Sequence, residues 1–193
     1  MPVNVPNLLT WLRIIAIPLL VALFYLPDAW LPAHDRNLYA CVLFAAAAVT
    51  DWLDGYLARR LNQTSAFGAF LDPVADKLIV AAALILLVEL ARVSGYIAVI
   101  IIGREITISA LREWMAKVGQ AKSVAVNLLG KIKTVAQLVA IPMLLYHDPV
   151  GAWFSPARVG TWLIYLAAAL TIVSMAYYLK LAAPQAFGRG GRA

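Results

Sequence analysis

Four aspartates with regular spacing lie in a chain that is otherwise strongly apolar. Asp51 and Asp54 are three residues apart, and Asp72 and Asp76 are four residues apart. On a helix, residues at these spacings lie on one face. If two helices meet at these faces, four carboxylates converge and need cations to offset their mutual repulsion. Because carboxylate oxygens suit hard ions, the pattern predicts a site for a divalent ion such as Mg²⁺ or Mn²⁺.

A second polar group lies further along the chain. Arg104, Glu105 and Arg112 fall in one apolar segment, and Lys131 and Lys133 begin the next. Ionisable groups inside membrane segments cost roughly 2.5–3.5 kcal/mol each and are usually functional. Two interpretations stay open. These groups either stabilise the helices, with Glu105 pairing with Arg112 and the lysines reaching the membrane surface, or they form an anion pocket that faces the metal site.

The composition indicates a membrane protein. Of the 193 residues, 63% are hydrophobic and 13% are charged, whereas soluble domains average about 45–50% and 25%. The chain has a net charge of +6, which we attribute to basic loops that face an anionic membrane surface. We expect no nucleic acid partner. The single cysteine, Cys41, excludes an internal disulfide, and the chain has no zinc-binding spacing of Cys and His.

The elements that must position these groups are predicted to be helices. We expect an all-α, polytopic membrane protein whose six transmembrane helices cover residues 12–26, 38–57, 67 or 71 to 91, 96–114, 131–146 and 159–179. A short interfacial helical segment precedes the first span, with Asn7 as its cap. Asn7, Thr10 and Arg13 recur every three residues, so this polar stripe either anchors the chain at the interface or borders a polar site. Asp72-Pro73 indicates either a helix start or a kink.

Lysine and arginine are distributed unequally between the two predicted faces. One face carries 13 of the 16 basic residues, and the other carries only Arg36, Arg92 and Arg158. The positive-inside rule therefore predicts that both termini and the aspartates lie on the cytoplasmic side. We expect one membrane domain over residues 1–181, followed by a basic, disordered tail over residues 182–193.

The aspartates belong to a longer pattern, D-x₂-D-G-x₂-A-R-x₈-G-x₃-D-x₃-D. Its fixed positions are Asp51, Asp54, Gly55, Ala58, Arg59, Gly68, Asp72 and Asp76. The chain thereby resembles the CDP-alcohol phosphatidyltransferases at every fixed position of their signature. Further stretches at residues 6–13, 67–77, 104–113 and 130–134 are similar to members of this family that use a phosphorylated acceptor. The resemblance implies CDP-diacylglycerol as donor and sn-glycerol 3-phosphate as acceptor.

The resemblance also implies roles for individual residues. It assigns one or two divalent ions, Mg²⁺ or Mn²⁺, to Asp51, Asp54, Asp72 and Asp76, and it makes Asp76 the general base. Donor contacts are implied for Asn7, Thr10, Asp54, Gly55, Ala58, Arg59 and Gly68. An acceptor with its own phosphate needs additional cations, and the candidates are Arg104, Arg112, Lys131 and Lys133. A homodimer in the inner membrane of a bacterium, with its active site facing the cytoplasm, is also implied.

Three alternatives compete with this interpretation. The same chemistry could serve another acceptor, such as inositol phosphate or phosphatidylglycerol. Intramembrane prenyltransferases also use aspartates on helices, but their motifs contain adjacent aspartates, which this chain lacks. A cation or proton carrier would place carboxylates along a path across the membrane, whereas all four aspartates here lie near one predicted face.

Overall fold

A computed structural model of the chain describes residues 5–61, 66–117, 128–151 and 153–186. The described residues form six helices: α1 (Val5–Tyr25), α2 (Ala33–Leu61), α3 (Ala66–Glu89), α4 (Gly95–Lys117), α5 (Leu128–Tyr146) and α6 (Pro156–Ala186). In these ranges the only β-type pairing is an isolated bridge between Val150 and Phe154. The prediction of an all-α chain is confirmed.

Several helix boundaries differ from the predicted ones. α1 is continuous from Val5, so the predicted interfacial segment is its first part and Asn7 lies inside the first turn rather than at the cap. Pro6 suits this start, because the first turn does not use its missing N–H. α3 begins at Ala66, which places Pro73 inside the helix. α6 continues to Ala186, so its last turn enters the segment predicted to be a disordered tail.

Two stretches of the described residues are long and apolar enough to cross a membrane. They are Leu8–Tyr25 in α1 and Pro156–Ala183 in α6. The charged groups singled out by the sequence analysis lie mostly on α2 to α5. The apolar character of α1 and α6 agrees with a membrane protein, and the six-span topology stays a prediction.

Helix packing places α1 against α2 and α3, and α5 against α6, with α6 also contacting α4. The shared core contains fully buried side chains such as Leu20, Phe44, Leu84 and Ile101. α5 and α6 are in close contact at Gly160, where an added Cβ would lie 2.8 Å from Leu144 Cγ. This distance is shorter than a normal contact, so a glycine is required for the two helices to pack in this way.

At one end of the bundle, Arg92 joins three parts of the chain. Its Nη1 donates to the carbonyl oxygens of Leu144 (3.1 Å) and Leu145 (2.6 Å), and its Nη2 donates to Asn37 Oδ1 (2.8 Å). The carbonyls near the end of α5 lack partners within their own helix, so the guanidinium supplies the missing donors. Asn37 Nδ2 in turn donates to Asp148. This end of the helices is therefore held by side-chain bonds.

Two residues at this end adopt positive φ angles. Ala91 has φ 56° and follows α3, where its N–H donates to Val88 O and the N–H of Arg92 donates to Leu87 O. This pair of bonds is a Schellman ending, in which glycine is the usual residue. His147 has φ 61° and follows α5. Burial, together with the nearby Arg92, lowers the pKa of His147, and Asp148 opposes this shift.

Candidate functional site

The inner face of α1 carries two buried polar side chains that contact the aspartates. Thr10 is fully buried, and its Oγ1 donates to Asp72 Oδ1. Arg13 is 1% exposed, and its Nη1 lies 2.6 Å from Asp76 Oδ1 and 3.2 Å from Asp51 Oδ1. One guanidinium nitrogen thus links α1, α2 and α3. Because Asp51 and Asp76 share this neighbour, their carboxylates lie close together although they belong to different helices.

The predicted metal ligands are brought together in part. Asp51 and Asp76 meet at Arg13, and Asp72 is held beside them by Thr10. The side chain of Asp54 lies outside the described residues. Within the part of the chain that the structure describes, no three Asp, Glu, His or Cys side chains form a group that could hold a metal. The donor set consists of carboxylates and fits a hard divalent ion in its chemistry, and the convergence of all four stays a prediction.

A cavity of about 460 Å³ lies beside these carboxylates. It combines acidic and basic side chains from four helices with an apolar wall that includes Phe44 and Ile79. Its polar lining is Arg13, Asp51, Asp76, Lys77, Arg104, Glu105, Ser109, Arg112, Thr134 and Gln137. The aspartate pair and the two arginines of α4, which are separate groups in the sequence, therefore open into one space.

The four predicted acceptor residues occupy three different environments. Arg104, which is 7% exposed, and Arg112 both line the cavity. Lys133 is 1% exposed, and its Nζ donates to Glu105 Oε1. Lys131 is exposed and does not line the cavity, so its assignment to the acceptor phosphate stays a prediction. Lys131 lies three residues before Thr134, which lines the cavity, so the two share one side of α5.

Glu105 is the acidic member of the basic group, and its partners differ from the expected one. It accepts from Lys133 and lies 3.4 Å from Arg104 Nη1. The alternative in which Glu105 pairs with Arg112 is therefore wrong among the described contacts. Since Glu105 offsets the charge of Lys133, Arg112 is left with its charge beside the cavity, and its Nε has no hydrogen-bond partner among the described residues.

Most of the predicted donor contacts fall where side chains are not described. Asn7 lies in α1, and Asp54, Gly55, Ala58 and Arg59 lie in the last part of α2, but their side chains are outside the described residues. Gly68 is buried near the start of α3. Thr10 faces the aspartates, as its contact with Asp72 shows. The donor assignments thus stay predictions.

Arg13 and Tyr178 contact the site although neither was among the predicted site residues. The sequence indicated a role for Arg13, because its spacing from Thr10 places both residues on one face of α1. The spacing alone did not show whether that face meets a polar site or the membrane surface. Tyr178 lies on α6, and its ring centroid is 6.0 Å from Arg104 Cζ and 5.6 Å from Arg112 Cζ. An aromatic residue in an apolar helix gives no such signal in the sequence.

Known proteins with similar sequences agree with a site for phosphate-bearing substrates. The sequence model of the CDP-alcohol phosphatidyltransferase family matches residues 3–173. The chain is 50% identical over 185 residues to a protein of Salmonella choleraesuis (strain SC-B67) named CDP-diacylglycerol–glycerol-3-phosphate 3-phosphatidyltransferase, covering 94% of this chain and 96% of that protein. Proteins of the same name from Escherichia coli (strain K12) and Shigella flexneri are 50% and 49% identical over the same shares.

Proposed function

The chain belongs to the CDP-alcohol phosphatidyltransferase family, and we propose that it transfers the phosphatidyl group of CDP-diacylglycerol to sn-glycerol 3-phosphate. The products are phosphatidylglycerophosphate and CMP, so the protein is an enzyme of phospholipid biosynthesis. Support comes from relatives that are about half identical over nearly their whole length and whose names state this donor and this acceptor.

One structural observation carries the proposal, namely that Asp51 and Asp76 share a single cavity with Arg104 and Arg112. A reaction between a pyrophosphate donor and a phosphate-bearing acceptor brings several negative charges into one space. The carboxylates suit a donor phosphate that arrives with a divalent ion, whereas the arginines suit an acceptor phosphate directly, since a guanidinium binds phosphate oxygens in pairs. An acceptor without a phosphate would have no use for the two arginines.

In the proposed reaction, the primary hydroxyl oxygen of glycerol 3-phosphate forms a bond to the phosphorus that carries the diacylglycerol. The bond from this phosphorus to the oxygen bridging it to CMP breaks, and CMP leaves with the electron pair. The hydroxyl proton passes to a carboxylate oxygen of Asp76, which acts as general base. The Asp76 carboxylate is fixed by Arg13 Nη1 at 2.6 Å, so its contribution comes from position more than from basicity.

The family is generally dependent on a divalent metal. We propose that Asp51, Asp54, Asp72 and Asp76 hold one or two Mg²⁺ or Mn²⁺ ions. These carboxylates would hold such an ion, which when bound would supply charge neutralisation for phosphate oxygens and for the leaving group. The donor itself is assigned to the neighbouring residues Asn7, Thr10, Asp54, Gly55, Ala58, Arg59 and Gly68. The acceptor phosphate is assigned to Arg104 and Arg112, with Lys133 acting through Glu105 and with Lys131 as a further candidate.

We further propose a multi-pass protein of the bacterial inner membrane whose active site faces the cytoplasm. Arg36, Arg92 and Arg158, the three basic residues of the sparsely charged face, all lie in or beside the turns that follow α1, α3 and α5. The aspartate cavity lies toward the other ends of these helices. This distribution follows the positive-inside rule.

The proposed homodimer is supported by an exposed apolar groove of about 500 Å³ between α3 and α4. Gly95, Val99 and Gly103 recur every four residues along it, and Val99 is 71% exposed. The two glycines leave room for a second membrane helix to approach closely, and the exposed Val99 between them offers an apolar contact. A Val99→Cys variant in a Cys41→Ser background should form a disulfide-linked dimer in membranes, whereas a purely monomeric band after oxidation would contradict a dimer through this groove.

The function is tested by CMP release from CDP-diacylglycerol by the purified protein in detergent. We expect release only when a divalent ion and glycerol 3-phosphate are both present. Replacing the acceptor in turn by inositol phosphate, serine or phosphatidylglycerol identifies the acceptor class. Equal CMP release with another acceptor, or release without any acceptor, would overturn the assignment.

Asp76→Asn tests the proposed base within the same assay. The amide keeps the size of the side chain but accepts no proton, so we expect turnover to fall by about a hundredfold or more. Asp28→Asn, in an exposed turn at the other end of the bundle, is the matched control. A rate near that of the wild type for Asp76→Asn, in a protein that stays folded, would remove Asp76 from this role.

A further inference from the structure

α6 presents one buried polar stripe to α4. Thr171, Ser174 and Tyr178 are three and four residues apart, so they lie on one side of the helix. All three are fully buried, and α4 packs against α6. A buried polar side chain is costly unless it has a partner. Thr171 Oγ1 has no hydrogen-bond partner among the described residues, whereas Ser174 and Tyr178 contact groups on α4.

Those groups are the two arginines of the cavity. Arg104 Nη2 donates to Ser174 Oγ at 3.2 Å. The ring of Tyr178 contacts both guanidiniums, with Arg104 Cζ 6.0 Å and Arg112 Cζ 5.6 Å from its centroid. These distances fall within the range of cation–π attraction, which strengthens when the pair is withdrawn from water. One buried ring thus meets two cations that are eight residues apart on α4.

Contact with a ring differs from contact with a carboxylate in what it leaves for a ligand. A carboxylate would occupy the N–H groups of the guanidinium and cancel its charge, as Glu105 does for Lys133. An aromatic face attracts the cation through its π electrons and uses none of the in-plane N–H donors. Tyr178 can therefore hold two arginines without using their N–H donors. The charge of Arg112 stays available to an anion, whereas Arg104 also contacts Glu105, 3.4 Å from its Nη1, a carboxylate that it shares with Lys133.

We propose that Tyr178 is a positioning residue for the acceptor phosphate, holding Arg104 and Arg112 at the spacing that binds it, with Ser174 fixing Arg104 from the same stripe. This inference rests on the proposed function for the identity of the acceptor. Tyr178 does not line the cavity, so it acts through the arginines and does not touch the substrate. It is expected to affect acceptor binding and to leave donor binding unchanged.

The test compares Tyr178→Leu and Tyr178→Phe with the wild type in the CMP-release assay. Tyr178→Leu removes the ring, and we expect KM for glycerol 3-phosphate to rise about tenfold while KM for CDP-diacylglycerol changes less than twofold. Tyr178→Phe keeps the ring, and its acceptor KM should stay within about threefold of the wild type. Tyr165→Leu is the matched control, because it makes the same change in α6 about 20 Å away along the helix.

A binding measurement separates failure of this inference from failure of the proposed function. Inorganic phosphate is titrated into each protein without donor, and Tyr178→Leu should bind it about tenfold more weakly than the wild type. If the wild type does not use glycerol 3-phosphate, the proposed function fails, but the phosphate titration still decides whether Tyr178 holds an anion site.

Unchanged phosphate affinity and unchanged acceptor KM in folded Tyr178→Leu would overturn the inference, as would an equal rise in the KM values of donor and acceptor. If Tyr178→Leu does not fold, Ser174→Ala decides the question. This smaller change removes one hydrogen bond to Arg104 and should raise acceptor KM about threefold or more. No change in Ser174→Ala would then overturn it.

Discussion

Replacing Arg13 by methionine separates the charge of this side chain from its volume. The guanidinium is 1% exposed and contacts two carboxylates that are 45% and 41% exposed. Breaking a fully buried pair costs about 3–5 kcal/mol, while an exposed pair contributes at most about 1 kcal/mol. With one buried partner and two half-exposed ones, screened by water, we expect a loss of about 2 kcal/mol. In a chain of this size that loss lowers Tm by roughly 4–8 °C.

The assay is thermal unfolding of the protein in detergent, with EDTA or with millimolar Mg²⁺. Without a divalent ion, Arg13→Met leaves Asp51 and Asp76 close together without the guanidinium that they share. Mg²⁺ offers a replacement charge to the same oxygens, so the variant should regain at least half of the lost Tm. The wild type should gain less, because Arg13 competes with the ion for these oxygens.

Arg158→Met provides the control, since Arg158 is exposed near the start of α6. Its Tm should change by less than about 2 °C, as is usual for surface substitutions, and should not depend on Mg²⁺. The reasoning is refuted if Mg²⁺ raises the Tm of wild type and Arg13→Met equally. It is also refuted if Arg13→Met is as stable as the wild type in EDTA.

Three further outcomes concern stability away from the cavity. Gly160→Ala should destabilise by about 1–3 kcal/mol, because the new methyl meets Leu144 at 2.8 Å and Ala140 O at 3.2 Å, and an unchanged midpoint in thermal melts would contradict this. Ala91→Gly should raise stability by about 0.5–1 kcal/mol, since its φ of 56° suits glycine, and an unchanged midpoint on heating would count against this. Because the pKa of His147 is lowered in the folded protein, His147 is protonated in the unfolded chain at a higher pH than in the folded one. The contribution of neutral His147 to stability is therefore complete above about pH 6.5 and is lost as the pH falls through the lower folded pKa. His147→Asn should therefore flatten part of the decline in Tm between pH 7 and 5, and identical pH profiles for variant and wild type would contradict it.

The sequence predicted the six helices because each contains a long apolar segment bounded by turn residues. The pairing of Asp51 with Asp76 through Arg13 could not be predicted, since spacing shows which residues share a helix face but not where that face is turned. The contacts between α1 and α3 join residues more than 60 positions apart. Lys131 shows a related limit, because it shares a side of α5 with the cavity-lining Thr134 but is itself exposed.

The role of α6 was even less accessible to sequence reasoning. The predicted span over residues 159–179 has no charged residue, and it was expected only to cross the membrane. Tyr178 and Ser174 become candidates for a positioning role only because they contact the arginines of α4. Uncharged residues that position charged ones have no spacing or composition that marks them in the sequence. They can be identified only from the contacts between packed helices.

The joint at Arg13 also bears on the order in which the protein is made. Its described contacts join Thr10, Arg13, Asp51, Asp72 and Asp76, which lie in α1, α2 and α3 and leave the ribosome before the rest of the chain. The acidic half of the cavity therefore carries its own counter-charge and can assemble before α4 to α6 exist. The basic half is built from α4, α5 and α6 and is completed last. Because the two halves use separate stretches of the chain, mutation can alter the choice of acceptor in the later helices while the part that handles the shared donor stays intact.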